Sequence, residues 1–343
     1  LSEPADFPGL KAVSACLGAD PLRIQGPGGN TSVKEGARMW IKASGTELAE
    51  AERRQIFVVV DLERMRAAMA ADDPQADQPA AFALESGGLR PSIETSLHAV
   101  FPQRVVLHAH CVDTIALAIR ADARERLAER LADLPHGFAP YVKPGATLAK
   151  AVEASGGVAA GVVVLGNHGL IVAGDSIEAA AALFDRVTLA LAAEPAAFPA
   201  PDMAALEKAG GAAYAPPAAD HPLHGVALSP YRLQAALGGS LYPDHVIFCG
   251  VGATALAADE TADDLVARLA GAGRAPPPLL LVPGRGALIA RAATAGGRAL
   301  ARCLGDVLSR VPEGAPLTYL TEAQNAELID WDAEKYRRAL NVR

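Results

Sequence analysis

Apolar positions recur along the chain with two different periods. Helical spacing fills residues 8–18, LERMRAAMAA (62–71), TLAKAVEA (147–154) and SIEAAAALFDRVTLALAA (176–193), the last with Ser176 as its N-cap. TIALAIR (114–120) and RERLAERLADL (124–134) also read as helices, and SIETSLHAVF (92–101) as a short amphipathic one with Ser92 at its N-cap. Short unbroken apolar or β-branched runs, QIFVVVD (55–61), RVVLHAH (104–110), GVVVLG (161–166) and GLIVAG (169–174), predict strands. The segment 22–45, LRIQGPGGNTSVKEGARMWIKASG, predicts two or three short strands joined by glycine turns, and the Pro, Asp and Gly of 72–91 predict a surface loop.

From 194 to 230 proline is dense and the periodicity lapses apart from a short AALEKAG turn. An α/β alternation follows: HVIFCG (245–250) as a strand, TADDLVARLAG (261–271) as a helix, PLLLVPG (278–284) and ALIAR (287–291) as strands, then helices over 295–311 and the charged tail 321–341. The expected organisation is a first domain over 1–195, a Pro/Ala-rich linker region with some ordered pieces over 196–229, and a small α/β domain over 230–343.

Composition narrows the functional classes. The 343 residues are 51% hydrophobic, enough for a sizeable core. The net charge of −8 with no basic run argues against nucleic acid and against an anionic membrane as partners. Residues 154–174 carry no charge over nearly the length of a membrane span, but Asn167-His168-Gly169 interrupts them, so they read as two short strands around a turn. Four scattered cysteines without a CxxC fit a reducing compartment, and the first ten residues lack the pattern of a signal peptide. The expected location is cytoplasmic.

The strongest chemical signal is Val105-Val106-Leu107-His108-Ala109-His110. Alternate side chains of a strand share a face, so His108 and His110 project together and could grip one divalent metal, or form two hydrogen-bonded histidines on a half-exposed strand. His168, in the turn Gly166-Asn167-His168-Gly169, could add a third nitrogen and leave one coordination position open. Glu94 and His98 lie four apart on one helix face, and Glu94 could reach the histidines as a ligand or general base, or simply interact with the helix dipole. The turns around Gly28-Gly29-Asn30 and Ser44-Gly45 could form anion nests or be ordinary tight turns. A competing motif, G-x-G-x-x-A at 250–255 after the expected strand HVIFC, has the form of a dinucleotide fingerprint but lacks an acidic residue after a second strand. His136, His221, His224 and His245 read as packing or surface residues, and Trp40 and Trp331 as packing.

GGNTS…KASGT, SIETSLH, VVLHAH and LGNHGLIVAG, in this order over about residues 8–195, resemble the class II aldolase/adducin family. That family includes fuculose- and rhamnulose-phosphate aldolases, ribulose-phosphate 4-epimerases and a methylthioribulose-phosphate dehydratase. The short spacing from Glu94 to His108, and KASGT in place of T-P-[ST]-G, look most like the aldolase part of bifunctional rhamnulose-phosphate aldolase/dehydrogenases. The resemblance implies a three-layer α/β/α sandwich around a mostly antiparallel sheet, and a homotetramer. It implies a divalent metal, Zn²⁺ above Fe²⁺, Co²⁺ or Mn²⁺, on His108, His110 and His168. It makes Glu94 the acid/base, and assigns Gly29, Asn30, Ser44, Gly45 and Ser92 to the anionic end of a sugar or sugar-phosphate substrate. Ile93 replaces a serine common in the aldolases and removes one hydroxyl donor.

The implied reaction is reversible aldol cleavage of a ketose through a metal-stabilised enediolate, with the Glu94 pKa raised towards the working pH by burial. Epimerisation or dehydration at the same metal is the rival within the family. A non-catalytic, adducin-like interaction protein is the rival outside catalysis, and a nucleotide-binding protein using 245–290 a third.

Overall fold

The computed structural model describes residues 2–85 and 88–330. Their contacts separate into two units: Leu1–Ala118 with Asp122–Ala192, and Ile119–Ala121 with Ala193–Arg343.

The first unit opens with α1 (Phe7–Ala19) and the strands β1 (Asn30–Glu35), β2 (Arg38–Lys42) and β3 (Phe57–Asp61). α2 (Leu62–Ala70) follows β3 directly, because Asp61 caps it by accepting the Arg64 N–H. Then come β4 (Ala83–Glu85), α3 (Thr95–Ala99), β5 (Val105–Ala109), α4 (Val112–Ala118) and α5 (Ala123–Arg130). β6 (Gly137–Ala139), α6 (Ala146–Ala154), β7 (Val162–Leu165), β8 (Gly169–Gly174) and α7 (Ile177–Leu191) complete it. The eight strands form one sheet in the order β4-β3-β2-β1-β5-β8-β7-β6. Its pairs are antiparallel except β6 with β7.

Both sheet faces are covered, which makes an α/β/α sandwich. Leu107, Ala109, Val164 and Val172 pack with Phe7 and Leu10 of α1 and with Ile177, Phe184 and Val187 of α7. Val106, Val163 and Ile171 pack on the other face with Leu97 of α3 and with Leu148 and Val152 of α6. The strands are therefore buried on both sides, which is why their sequences read as continuous apolar runs.

β1 departs from that rule. Its alternate residues Asn30, Ser32 and Lys34 are all buried. The Lys34 ammonium donates to the carbonyls of Phe101 and Gln103 at 2.6 and 2.9 Å. Burial, and then the charge of Arg66, bring the Lys34 pKa down to about 7.

The second unit holds α8 (Met203–Gly210), β9 (Tyr214–Ala215), α9 (Leu223–Leu228), α10 (Pro230–Leu237), α11 (Pro243–Cys249), α12 (Ala262–Gly271), β10 (Leu279–Val282), β11 (Gly286–Ala290), α13 (Ala295–Arg310) and α14 (Glu322–Asp330). Its small antiparallel sheet runs β10-β11-β9 and packs against Leu206, Leu265 and Leu269. Leu206, Tyr214 and Leu223, from the proline-dense stretch 196–229, are buried within this unit. α13 crosses α9 so closely that a Cβ on Gly305 would meet the Leu223 nitrogen at 2.4 Å.

Three local expectations change. HVIFC is not a strand but the body of helix α11, with Pro243 in its first turn. A short apolar run buried on all sides satisfies either structure, and the proline pre-set for a helix start decides it. Residues 72–91 are more ordered than a loop, holding two 3₁₀ turns and β4, with Phe82 buried. The short parallel edge strand β6 was not anticipated. Of the charged tail, 322–330 is helical, while the remainder with Trp331 lies outside the described residues. Among the described residues no helix is long and apolar enough to cross a membrane, and the uncharged stretch 154–174 forms mainly the β7–β8 hairpin.

Two measurements test this packing. A Cβ on Gly169 would lie 2.5 Å from the Ala109 carbonyl, so Gly169→Ala should cost about 1–3 kcal/mol, read from the denaturant midpoint. An unchanged midpoint would contradict the close approach of β8 to β5. Between about pH 7 and 10.5 the unfolded chain holds a proton on Lys34 that the folded chain has released, so stability rises with pH across that window. Lys34→Met should flatten the rise of the urea midpoint between pH 7 and 9.5; an identical slope in both proteins would contradict it.

Candidate functional site

β5 lies inside the sheet, where His108 pairs with Asn30 of β1 on one side and Ile171 of β8 on the other. Strand alternation puts His108 on the α3 side of the sheet, and His110 follows at the strand end. The β7–β8 turn presents His168 to the same place. Asn167 adopts a φ of 54° there, a left-handed conformation that asparagine tolerates. The three imidazole centroids are each 5.0 Å from the other two. Their ligating nitrogens all lie within 4.8 Å of one another.

The donor set fits a divalent cation. The His108 Nδ1–H donates to the Leu170 carbonyl at 3.0 Å, which leaves Nε2 with its lone pair facing the cluster. The His110 Nε2 is 3.2 Å from the His108 Nε2. Two nitrogens at Zn–N distances of about 2.0–2.1 Å on a tetrahedral ion are about 3.3 Å apart. Imidazole also suits iron, copper and nickel.

Glu94 closes the cluster. Its Oε1 is 3.4 Å from the His108 Nε2 and 3.6 Å from the His168 Nε2, and it receives no hydrogen bond. Its Oε2 accepts a hydrogen bond from the Asn30 amide at 2.7 Å. Burial pushes the Glu94 pKa up, but positive charge on His108, His168 and His110, when these are protonated, and the Asn30 donor outweigh it and bring it down to about 2. The sequence-based expectation of a pKa raised towards neutrality is thereby reversed: the carboxylate is held ionised.

Ser92 begins the turn that carries Glu94. Its hydroxyl accepts the Glu94 N–H at 3.2 Å, and its carbonyl accepts the Thr95 N–H at 3.1 Å. α3 itself starts at Thr95, so Glu94 occupies its N-cap position rather than its body. Gly29 passes so close to β5 that a Cβ would meet the His108 carbonyl at 2.7 Å, and its φ of 58° suits glycine. The Asn30 amide also donates to the Ser92 hydroxyl at 3.2 Å, so its side chain is engaged with Glu94 and Ser92. Ser44 and Gly45 are only half-buried; the Ser44 N–H donates to the Arg90 carbonyl and the Ser92 N–H to the Lys42 carbonyl, which ties this turn alongside Ser92.

Two roles are not legible in the sequence, those of Lys42 and His98. The buried Lys42 ammonium donates to the Pro27 and Gly29 carbonyls at 2.8 and 3.0 Å, fixing the glycine turn from below. His98, fully buried, bonds Asn30 and Ser32. The polar alternation Asn30-Ser32-Lys34 within an otherwise apolar strand context was the available signal for a buried polar face.

Other candidates are engaged in local structure of their own. The motif 250–255 follows a helix, and no helix starts until Ala262; the Gly252 N–H donates to the Ser240 hydroxyl and the Ala253 N–H to the Ala236 carbonyl. A dinucleotide cradle needs a preceding strand and free N–H groups at a helix start, so that expectation is withdrawn. His224 accepts the Ala287 N–H and its Nε2 faces the Ala218 carbonyl, a packing role. Cys111 is buried on the opposite sheet face, and burial pushes its thiol up to about 12.

The family described as Class II Aldolase and Adducin N-terminal domain matches residues 22–193. An "Uncharacterized oxidoreductase YuxG" of Bacillus subtilis is 32% identical over 182 residues, 48% of this chain and 26% of its own length. The chain thus spans about a quarter of that curated relative. Among solved structures, the N-terminal class II aldolase domain of a Thermoplasma acidophilum protein is 25% identical, covering 56% of this chain and 94% of its own, with a TM-score of 0.49. An L-fuculose 1-phosphate aldolase is 21% identical, covering 56% and 85%, with a TM-score of 0.40. With the family matched over residues 22–193, which hold all three histidines and Glu94, the chain belongs to the class II aldolase and adducin N-terminal domain family.

Proposed function

We propose that this chain is a metal-dependent class II aldolase, a carbon–carbon lyase acting on a ketose that carries a phosphate or another anionic end. The observation that carries the reading is the buried His108–His110–His168 triangle with one Glu94 oxygen 3.4 Å from His108 and 3.6 Å from His168. His108, His110 and His168 would hold the ion, Zn²⁺ by preference. Once bound, it supplies Lewis acidity that stabilises negative charge developing on a substrate oxygen.

The remaining roles belong to the chain itself. Glu94 is ionised, so it begins as a base. Its Oε2 stays on the Asn30 amide, and Oε1 takes the proton from the reacting carbon and returns it. The turns at Gly29 and at Ser44-Gly45, with the Ser92 hydroxyl, hold the anionic end of the substrate. Binding energy from that end positions the reacting carbons. Near-complete burial of Glu94 keeps bulk water from competing for the proton. The catalytic region is residues 1–195, working as a homotetramer in the cytoplasm.

The test uses dihydroxyacetone phosphate, the simplest phosphorylated ketose, in D₂O. The zinc-loaded protein should exchange a hydroxymethyl hydrogen for deuterium, read by NMR. Glu94→Gln should keep its metal and lose about 10²–10⁴-fold of that rate. Undiminished exchange in Glu94→Gln would overturn the role of Glu94, and no exchange in the metal-loaded parent would overturn the phosphoketose reading.

A further inference from the structure

The hydrogen bonds behind Glu94 form a directed chain that runs through Asn30 to His98 and Ser32. The Asn30 NH₂ group lies 2.7 Å from Glu94 Oε2 and 3.2 Å from the Ser92 hydroxyl, and donates to both. The Asn30 Oδ1 then faces the other way, onto the His98 Nε2. A carbonyl oxygen only accepts, so that nitrogen carries the proton. The His98 Nδ1 is left to accept, and the Ser32 hydroxyl lies 2.7 Å from it as donor. Every polar atom from Ser32 to Glu94 Oε2 is assigned, and each assignment forces the next. His98 and Ser32 are both buried at 0% exposure, so water does not offer a substitute partner.

We infer that His98 is a positioning residue: through Asn30 it fixes the side-chain amide that holds Glu94 Oε2, leaving Oε1 alone to face the histidines. Asn30 has two near-equivalent amide orientations. The Glu94 carboxylate on one side and a donor at Oδ1 on the other both favour the productive one, because the reversed amide would set its oxygen against the carboxylate and its NH₂ against the His98 N–H. His98 supplies that donor, and Ser32 keeps the imidazole in the tautomer that can. Loss of the donor removes one of the restraints on the amide, which then holds Glu94 less firmly, without any change at the three nitrogens. Outer partners of this kind are worth about 10–100-fold in activity. The inference rests on the reading of Glu94 as the proton carrier, while the hydrogen-bond chain itself can be tested apart from it.

The experiment compares His98→Leu with His98→Gln, whose amide nitrogen can reach the place of Nε2. Three quantities are read: zinc per chain, the exchange protection of the Asn30 side-chain amide in ¹⁵N-labelled protein, and deuterium exchange into dihydroxyacetone phosphate. In His98→Leu zinc should be retained, the Asn30 amide should lose protection, and the rate should fall about 10–100-fold with KM unchanged. His98→Gln should recover most of the protection and rate. Should His98→Leu not be obtained folded, Ser32→Ala is expected to show the same loss of Asn30 protection in weaker form. Full Asn30 protection in His98→Leu and in Ser32→Ala, or a Gln variant as impaired as the Leu variant, would overturn the proposal. If Glu94→Gln proves neutral, the proton-carrier reading fails, and Asn30 protection alone then decides whether His98 sets the amide.

Discussion

A slip of one residue in β5 against β1 would turn His108 and His110 into the layer that packs on α1 and α7, and would put Leu107 and Ala109 beside Glu94. The register that prevents this brings Asn30 opposite His108, so one ladder position aligns the carboxylate's anchor with a histidine of the cluster. It is held by apolar residues on both sheet faces and by glycines at the close approaches. Gly29 beside the His108 carbonyl and Gly169 beside the Ala109 carbonyl leave no room for a side chain. The chemistry at the strand end thus depends on packing well below it.

Burying three imidazoles and a carboxylate together is costly unless their charges and lone pairs are matched. Here the carboxylate is matched on one oxygen by Asn30 and on the other faces the imidazoles. A divalent cation among the nitrogens would satisfy the lone pairs that converge there, and its charge would favour the ionised form of Glu94. Positive charge at the cluster favours the ionised carboxylate, unlike an apolar pocket, which would keep a carboxylic acid protonated.

Much of this was legible in the chain because it follows from short-range periodicity. The alternation in VVLHAH puts two histidines on one face, and GNHG between two apolar runs marks a turn at a strand end. What was not legible depends on contacts far apart in sequence. Asn30 meets Glu94 across 64 positions and His98 across 68, and no local pattern encodes either. The direction of the Glu94 pKa depends on three imidazoles gathered from β5 and the β7–β8 turn, whereas burial alone argues for the opposite sign. HVIFC misleads for a different reason: a histidine and four apolar residues buried all round carry no period, and the proline before them is the informative residue.

The central claim is that His108, His110 and His168 hold one divalent ion. Elemental analysis of the chain purified without added metal, beside His168→Ala prepared in the same way, tests it most directly. The account predicts about one zinc or related ion per chain in the parent and a large loss in the variant, with both proteins folded. Absence of metal from the parent even after incubation with zinc, or equal metal in the two proteins, would contradict it.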